Sequence, residues 1–303
     1  MRSVHLSGIG HVHGEPHQLS ELRAELGDAL APMAEDIASY RASTAEIWEL
    51  AAEAAAQSLA GYDADPDALL YVSQNEPDSA GALALLADRL GLRSCASLAL
   101  SGQDCGNFGP ALQLARDLVR SGSRERVLLV LADRARSPRD RLMGSGMSIF
   151  SDGAAACLVT TEQARAAGPG FAVEHIAGRT EVRLAEPAVP GEALLTTVRL
   201  ARDTTAEILA ATGRPREDVR HVLFANYRLA SQKFLCTAMG FPHEQITTGA
   251  VAELAHCFSA DVPVTLTQRR ADGTLAPGDL LLASASGPYS WSTVALTVEE
   301  DRG

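Results

Sequence analysis

The 303-residue sequence predicts an α/β protein with a largely parallel, buried β-sheet that is made of two similar halves. At this length the chain exceeds the usual size of one hydrophobic core, and 46% of its residues are hydrophobic, which is enough for a large interior. Segments of helical periodicity alternate with short apolar runs that are typical of buried strands. These strand-like runs cover residues 68–74, 126–133, 154–161, 221–226 and 279–286.

An internal repeat supports the two halves. In each half a strand is followed by a helix, a reactive side chain at the start of a second helix, and a further strand; the reactive residues are Cys105 and His256. The first strand precedes the reactive residue by 35 residues in one half and by 34 in the other. A duplicated fold would bring these two turns face to face. Glycine and proline in the stretch 164–171 predict a junction there, which divides the chain into 1–165 and 166–303.

The composition excludes several classes of protein. A net charge of −12 argues against binding of nucleic acid or of an anionic membrane surface. No apolar run approaches the roughly 20 residues that span a bilayer, and the N-terminus is interpreted as a strand and a polar loop rather than a signal peptide. The five cysteines form no CxxC pair, so neither a zinc site nor a disulfide framework is expected. We therefore expect a cytoplasmic enzyme without a metal.

Cys105 is the first candidate for a catalytic residue, because it lies between a strand-like run and an amphipathic helix. A thiol at a helix N-terminus meets the positive end of the helix dipole and free N–H groups, which lower its pKa and favour the thiolate. Gly102 and Gly106 allow a sharp turn, and the N–H of Cys105 is placed to donate to an oxyanion. The alternative is that a small thiol merely fills a tight turn.

His256 and Asp261 complete the candidate catalytic group. A cysteine nucleophile needs a base within hydrogen-bond reach, and a carboxylate can hold that histidine in the right orientation. Asp261 follows His256 by five residues and falls in the first turn of the next predicted helix. The alternative for Asp261 is an ordinary helix start, since Ser259 and Pro263 are typical of that position.

Three further motifs are interpreted as structural. The segment 11–17 carries three histidines and a glutamate but has no helical or hairpin frame, so we expect a polar loop and no metal site. Residues 151–153 are expected to form a turn that opens a strand of small residues. An arginine cluster is typical of a solvated face, and on so acidic a protein it is also a place where an anionic partner, such as a carrier protein, could dock. This cluster comprises Arg134, Arg136, Arg139 and Arg141.

Taken in order, these motifs resemble the ketoacyl-acyl carrier protein synthase III family over nearly the whole chain. That family has the thiolase fold, in which two pseudo-duplicated halves form α/β/α/β/α layers, and the resemblance also implies a homodimer. It further implies that Cys105 is the acylated residue and that Gly287 supplies the second N–H of the oxyanion hole. The matching segments are "ALSGQDCGNFGPALQLARDLVRSG", "IFSDGAAACLV", "VLFANYRL", "AHCFSADVP" and "ASGPYSW".

Two departures from the family pattern bear on the reaction. With Asn226 aligned to the asparagine of the family motif "PHQANxRI", Leu223 occupies the position of the first catalytic histidine, and His221 lies two residues earlier. His256 replaces the catalytic asparagine. Ordinary members use this His/Asn pair to stabilise the enolate formed when a malonyl group loses carbon dioxide, so the resemblance does not carry decarboxylative condensation to this chain. Asn226 and His221 are retained as possible supporting residues.

A Cys/His pair with a nearby Asp is the arrangement for acyl transfer to an oxygen, nitrogen or sulfur nucleophile. It is similar to a branch of synthase-III-like acyltransferases in bacterial specialised metabolism, including polyketide biosynthesis, that has a His-x-x-x-x-Asp spacing. We therefore predict an acyltransferase that works through acyl-Cys105 and has no cofactor of its own. The expected donor is the phosphopantetheine arm of an acyl carrier protein, or CoA, since the segment 25–48 lacks the family's "TGIxxR" loop that helps to hold CoA.

Three alternatives stay open at this point. A decarboxylative condensing enzyme with a rearranged base such as His221 would release carbon dioxide from a malonyl donor. A thioester hydrolase would use the same residues with water as the acceptor. A non-catalytic partner subunit would only shape the pocket of another synthase.

Overall fold

The protein, seen in a computed structural model that describes residues 2–60, 62, 64–161, 168–185 and 191–301, is built around a large mixed β-sheet. The described strands are β1 (His5–His13), β2 (Glu15–Gln18), β3 (Ser39–Ala42), β4 (Ala68–Val72), β5 (Ala96–Leu100), β6 (Arg126–Asp133), β7 (Gly153–Thr160), β8 (Gly170–Thr180), β9 (Val219–Leu223), β10 (Leu280–Gly287) and β11 (Ser290–Val298). Nine of them form one sheet in the order β5-β4-β6-β7-β1-β8-β11-β10-β9, and β2 pairs with β3 in a separate ribbon.

The two halves repeat one strand arrangement. In the first half β4 is parallel to β6, β7 is antiparallel to β6, and β1 is antiparallel to β7. In the second half β9, β10, β11 and β8 follow each other in the same way. Strands β1 and β8 pair over the three residues His5–Ser7, which joins the halves into one sheet. The expected boundary between residues 165 and 166 lies outside the described residues.

Helices cover the sheet in layers. The described α-helices are α1 (Arg23–Leu26), α2 (Ile47–Leu59), α3 (Ser79–Arg89), α4 (Phe108–Ser121), α5 (Glu192–Thr212), α6 (Leu229–Met239), α7 (Val251–Leu254) and α8 (Asp261–Ala271). Helices α4 and α8 share one hydrophobic core with strands of both halves. Helices α2 and α3 cover the outer face of the first half, and α5 and α6 cover that of the second. The expected α/β/α/β/α arrangement is therefore confirmed. The expectation of a largely parallel sheet is wrong, because five of the eight strand pairs in the large sheet are antiparallel and three are parallel.

The two central helices start at the two candidate turns. A 3₁₀ turn, Asp104–Asn107, leads into α4, and a second 3₁₀ turn, Phe258–Ala260, leads into α8. The Ser259 hydroxyl donates a hydrogen bond of 3.1 Å to the carbonyl oxygen of Asp104, so the two turns are in contact. The repeated fold thus brings the segment that carries Cys105 against the segment that carries His256.

No helix within the described ranges combines the length and the apolar character needed to cross a bilayer.

Candidate active site

The turn that carries Cys105 is held by its own backbone. The N–H of Gly106 donates to the carbonyl of Gln103 over 2.8 Å, and the N–H of Gln103 donates to the side chain of Asn107 over 3.0 Å. The turn requires an unusual backbone conformation at Asp104, where φ is +45°, a left-handed value that side chains other than glycine rarely adopt. Strain of this kind persists where the surrounding structure holds it, and here it precedes the candidate nucleophile directly.

The prediction that the helix N-terminus lowers the pKa of Cys105 is wrong. The thiol is buried, and loss of hydration raises its pKa well above the usual value. The carboxylates of Asp133, Asp261 and Asp104 raise it further, because each disfavours another negative charge nearby. The raised pKa favours the protonated thiol, so a base would have to remove its proton before the sulfur could act as a nucleophile.

His256 and Asp261 form a buried pair. The Nδ1 atom of His256 lies 2.5 Å from Oδ2 of Asp261, and the imidazole is fully buried. The same carboxylate accepts hydrogen bonds from the backbone N–H of Asn226 at 2.6 Å and of Cys257 at 2.7 Å. The geometry therefore places Asp261 as the partner of the ring in addition to its position at the start of α8.

The other nitrogen of the His256 ring, Nε2, makes no hydrogen bond to the described part of the chain. Because the carboxylate of Asp261 faces Nδ1, the neutral ring carries its proton on Nδ1 and leaves a lone pair on Nε2. Three aromatic rings surround the imidazole, with centroids 5.3 Å away for Phe150 and Tyr227 and 6.2 Å away for Phe258. The imidazole is thus held by Asp261 in a buried, aromatic environment, and its Nε2 has no partner within the described chain.

Gly287 lies beside the turn of Cys105, as the oxyanion-hole prediction requires. A Cβ atom on Gly106 would lie 2.7 Å from the backbone nitrogen of Gly287, which is closer than real side chains allow. A Cβ atom on Gly287 would in turn overlap the carbonyl oxygen of Gln103. Glycine at both positions therefore permits the close approach of the two backbones.

Cys105 and Gly287 border a cavity of about 950 Å³. His256 is not among the residues that line it, but its ring lies 5.3 Å from that of Phe150, which is. Most of the wall is apolar, and exposed leucine and phenylalanine side chains stand at α5 and α6. The remaining lining residues include Gln74, Asp104, Met143, Met147, Leu184, Leu194, Thr197, Leu200, Arg228, Phe234, Leu235, Ser286, Ser290 and Trp291.

Of the two possible supporting residues, Asn226 contacts the candidate site and His221 does not. Asn226 contributes its backbone N–H to Asp261, and its side-chain oxygen has no hydrogen-bond partner in the described chain. His221 as a base is wrong, because its ring nitrogens contact the hydroxyl of Thr247 at 2.8 Å and the carboxylate of Asp279 at 3.2 Å. In the sheet His221 also pairs with Leu281 of β10. Leu281 lies six residues before Gly287, which is about 20 Å along the strand.

The arginine cluster is not the solvated docking face that the sequence suggested. Arg141 is 7% exposed, and its guanidinium binds both carboxylate oxygens of Asp152 at 3.0 and 2.9 Å. Arg134 is half-buried and donates to backbone carbonyls. Arg136 and Arg139 are exposed, and Arg139 already forms an ion pair. A carrier protein therefore cannot engage the four arginines as one surface, and none of them lines the cavity.

The segment 11–17 is not a polar loop. It continues β1 up to His13, which pairs opposite Gly153, and then forms β2, because both stretches have backbone partners in β7 and β3. His13 contacts the Cys257 thiol at 3.4 Å. The described residues contain no group of three or more His, Cys, Asp or Glu side chains with the geometry for a metal ion.

Two further residues, Gln74 and Tyr227, belong to the site and were not predicted from the sequence. The side chain of Gln74 accepts a hydrogen bond from the Cys105 thiol, with sulfur and oxygen 3.6 Å apart. Tyr227 packs its ring edge on His256 and shares a hydrogen bond of 3.0 Å with the hydroxyl of Ser286. The signal available for Gln74 was its position just after β4, since neighbouring parallel strands end at the same edge of a sheet.

The fold and this site define a thiolase-fold protein with a buried cysteine at the wall of its cavity. The family model described as 3-oxoacyl-[acyl-carrier-protein (ACP)] synthase III matches residues 101–174, and the model of its C-terminal part matches residues 209–298. The chain belongs to this synthase III family, which confirms the resemblance seen in its motifs.

Individual relatives agree with this assignment. Beta-ketoacyl-[acyl-carrier-protein] synthase III 2 of Streptomyces coelicolor is 26% identical over 266 residues, covering 82% of this chain and 78% of the relative. The crystal structure of the synthase III FabH of Pseudomonas aeruginosa PAO1 has a TM-score of 0.83 at 21% identity and covers both chains completely. ChlB3, described as an acyltransferase, has a TM-score of 0.85 at 23% identity and covers 99% of this chain and 98% of its own.

Proposed function

We propose that this synthase III family member is an acyltransferase. It takes an acyl group from a carrier-protein or CoA thioester onto Cys105 and passes it to an oxygen, nitrogen or sulfur nucleophile, in the biosynthesis of a specialised metabolite. The observation that carries this proposal is the His256–Asp261 pair with its free Nε2, because such a ring can remove a proton from an incoming hydroxyl, amine or thiol.

The first half-reaction charges the enzyme. The Cys105 thiol gives its proton to Nε2 of His256 while the sulfur attacks the carbonyl carbon of the donor thioester. The backbone N–H groups of Cys105 and Gly287 stabilise the negative oxygen that forms. The donor carbon–sulfur bond then breaks, and the protonated His256 returns the proton to the departing pantetheine thiolate.

The second half-reaction transfers the acyl group. The acceptor takes the place of the pantetheine arm in the cavity, and His256 removes its proton as it attacks the acyl-cysteine. Collapse of the second tetrahedral intermediate breaks the bond to sulfur, and the proton on His256 returns to Cys105. Asp261 keeps the ring oriented and stabilises its positive charge during both steps.

Leu223 supports the proposal of acyl transfer rather than condensation, because an apolar side chain stands where ordinary family members have an enolate-binding donor. Leu223 is fully buried at the end of β9 and packs in the central core with α8. Its side chain has no hydrogen atom to donate to an enolate oxygen. A decarboxylated malonyl group would therefore lack the second donor that ordinary family members supply.

The donor arm is proposed to enter through the cavity that ends at Cys105. Its rim on α5 and α6 carries the apolar side chains Leu194 and Phe234, both at least 41% exposed, with Arg228 in the wall. This composition suits a pantetheine chain, which is amphipathic and carries an anionic phosphate at its outer end. The phosphopantetheine is substrate here, so no resident cofactor is needed.

The function is tested by incubating the purified protein with acyl carrier proteins and acyl-CoAs, malonyl thioesters included. Intact mass and the adduct site are then measured. A stable acyl group on Cys105 without loss of carbon dioxide, followed by its transfer to an added nucleophile, is the expected result. Carbon dioxide release would restore the condensing reaction, turnover in water alone would indicate a hydrolase, and no adduct from any donor would indicate a partner subunit.

Asp261→Asn is expected to reduce acyl transfer from charged enzyme about 100-fold or more. The amide keeps the shape of the carboxyl group but removes the charge and can favour the wrong tautomer of His256. The rate is measured in a single turnover with pre-acylated protein. Asp272→Asn at the end of the same helix, where the side chain is exposed, is the matched control. A loss of less than about tenfold for Asp261→Asn would return this residue to a purely structural role at the start of α8.

We also propose that the protein is a homodimer that pairs through β5. Within the described chain this strand lies at the edge of the sheet with β4 as its partner, and Leu98 on it is 48% exposed. A free edge with apolar side chains is a surface on which a second copy can continue the sheet.

The dimer is tested by light scattering after size-exclusion chromatography. Leu98→Lys is expected to yield a monomer, because a buried ammonium group in the paired strands would be unpaired. Val182→Lys is the control, since Val182 is an exposed apolar residue away from β5. A monomeric wild type, or a Leu98→Lys variant with the mass of a dimer, would contradict this interface.

A further inference from the structure

We propose that Gln74 is a further catalytic residue, which contacts the sulfur of Cys105 and stabilises the thiolate once its proton has left. The inference rests on the proposed function in one respect, because it takes Cys105 as the nucleophile. Its evidence is the contact itself, the way in which the fold holds Gln74, and the charges around the thiol.

The contact is direct. The thiol of Cys105 donates to Oε1 of Gln74 with a sulfur–oxygen distance of 3.6 Å. Both side chains line the same cavity, so Gln74 also stands next to the position that the acyl group will take. In the resting enzyme this hydrogen bond directs the thiol proton toward Gln74, and no hydrogen bond joins the sulfur to His256 in the described structure.

The backbone at Gln74 is fixed by a buried carboxylate. Asp133 at the end of β6 accepts three hydrogen bonds on one oxygen, from the hydroxyl of Ser73 at 2.9 Å and from the N–H groups of Gln74 and Asn75 at 2.8 Å each. Burial is the largest effect on Asp133 and raises its pKa to about 7, although the three hydrogen-bond donors act to lower it. Because β4 and β6 are parallel neighbours, their ends hold this turn beside the nucleophile.

The charges around Cys105 show why its thiolate needs a nearby hydrogen-bond donor. Burial and three carboxylates disfavour the thiolate, and the backbone N–H of Cys105 itself is the contact that favours it. A thiolate formed by proton transfer to His256 would therefore have few hydrogen-bond donors. A donor on a side chain next to the sulfur would correct this shortage, because hydrogen bonds to a charged atom are stronger than those to a neutral one.

A carboxamide can serve both states of the sulfur. Its oxygen accepts from the thiol, and its Nε2 carries two hydrogen atoms that can be donated to the thiolate. A half-turn about the last side-chain bond exchanges the two groups. In this step the S–H bond breaks and the proton moves to Nε2 of His256, while Gln74 neither gains nor loses a proton. The resting contact thus becomes a stabilising one when the base acts.

The test measures the alkylation rate of Cys105 by iodoacetamide as a function of pH, read from peptide masses. It needs no acyl donor. Gln74→Leu is expected to slow alkylation at pH 8 about tenfold and to displace the profile to higher pH. Gln74→Glu keeps the side-chain shape, lacks a donor and adds a charge beside the sulfur, so a larger decrease is expected. Gln57→Glu, at an exposed position on α2, should stay within about twofold of wild type.

Each outcome decides the proposal. If Gln74→Leu reacts as fast as wild type or faster, Gln74 only holds the thiol proton, and the inference is overturned. If Gln74→Glu reacts like wild type, the side-chain amide is not needed, with the same conclusion. The proposed function fails separately: when no donor charges Cys105 but the Gln74 variants still displace the alkylation profile, the acyltransferase is wrong and the role of Gln74 stands.

Discussion

Cys105→Ala is expected to abolish acyl-enzyme formation with every donor that charges the wild-type protein. Cys105 is the cysteine that borders the cavity in the described structure, where it lies beside Gly287. Removing the attacking atom of a cooperating catalytic group typically reduces the rate on the order of 10⁴-fold or more. The measurement is the intact mass after incubation, in which the wild type gains one acyl group and the variant gains none.

Cys95→Ala is the matched control for this experiment. Cys95 is a free, half-buried thiol outside the cavity at Cys105, and burial raises its pKa to about 11. The control variant should be acylated at the wild-type rate. An acyl adduct on Cys105→Ala with the same yield as on wild type would show that another residue is the nucleophile, and the mechanism proposed above would be wrong.

His256→Ala is expected to leave slow self-acylation measurable and to reduce transfer to the acceptor by about 10⁴-fold. A thiol can lose its proton to solvent base, whereas an alcohol acceptor at neutral pH depends on a positioned base for this step. The variant is first charged with a donor, and the decay of the acyl-enzyme with acceptor present is then followed by mass spectrometry.

A second variant separates chemistry from folding in this test. Alanine removes a fully buried ring that packs against three aromatic side chains, which lowers stability on its own. His256→Asn introduces the residue that ordinary family members carry and fills more of the space, yet it is not a base. Both variants should be defective in transfer, and His243→Ala, on an exposed 3₁₀ turn, should not. Transfer at the wild-type rate by His256→Asn would refute the role of the base.

The fold and four residues of the candidate site could be predicted because their signals are local. Alternating apolar runs and helical segments predict the α/β class, the family resemblance implies its layers, and a glycine-rich turn before an amphipathic helix marks Cys105. The spacing of His256 and Asp261 across one turn predicts that they can touch, and the motif order predicts where Gly287 lies. These features depend on short stretches of chain, which the sequence shows directly.

The remaining features depend on residues that are distant in the chain. The pKa of Cys105 is raised by burial and by Asp133 and Asp261, whereas the helix start alone suggested the opposite direction. Arg141 lies in an arginine-rich segment that the sequence suggests is exposed to solvent. It is buried, because the carboxylate of Asp152 neutralises its charge. Gln74 carries no motif, and its contact with the thiol appears only when β4 and β6 end side by side.

The contact between β1 and β8, which joins the two halves, bears on whether a substitution there lowers the catalytic rate or the thermal stability. Strands β1 and β8 meet over only three residue pairs, while the nucleophile belongs to one half and its base to the other. A displacement of about 1 Å between reacting groups can lower a rate about 100-fold. We therefore expect changes near residues 5–7 to lower turnover more than the melting temperature, because a small shift between the halves misplaces the reacting groups while the shared central core stays packed.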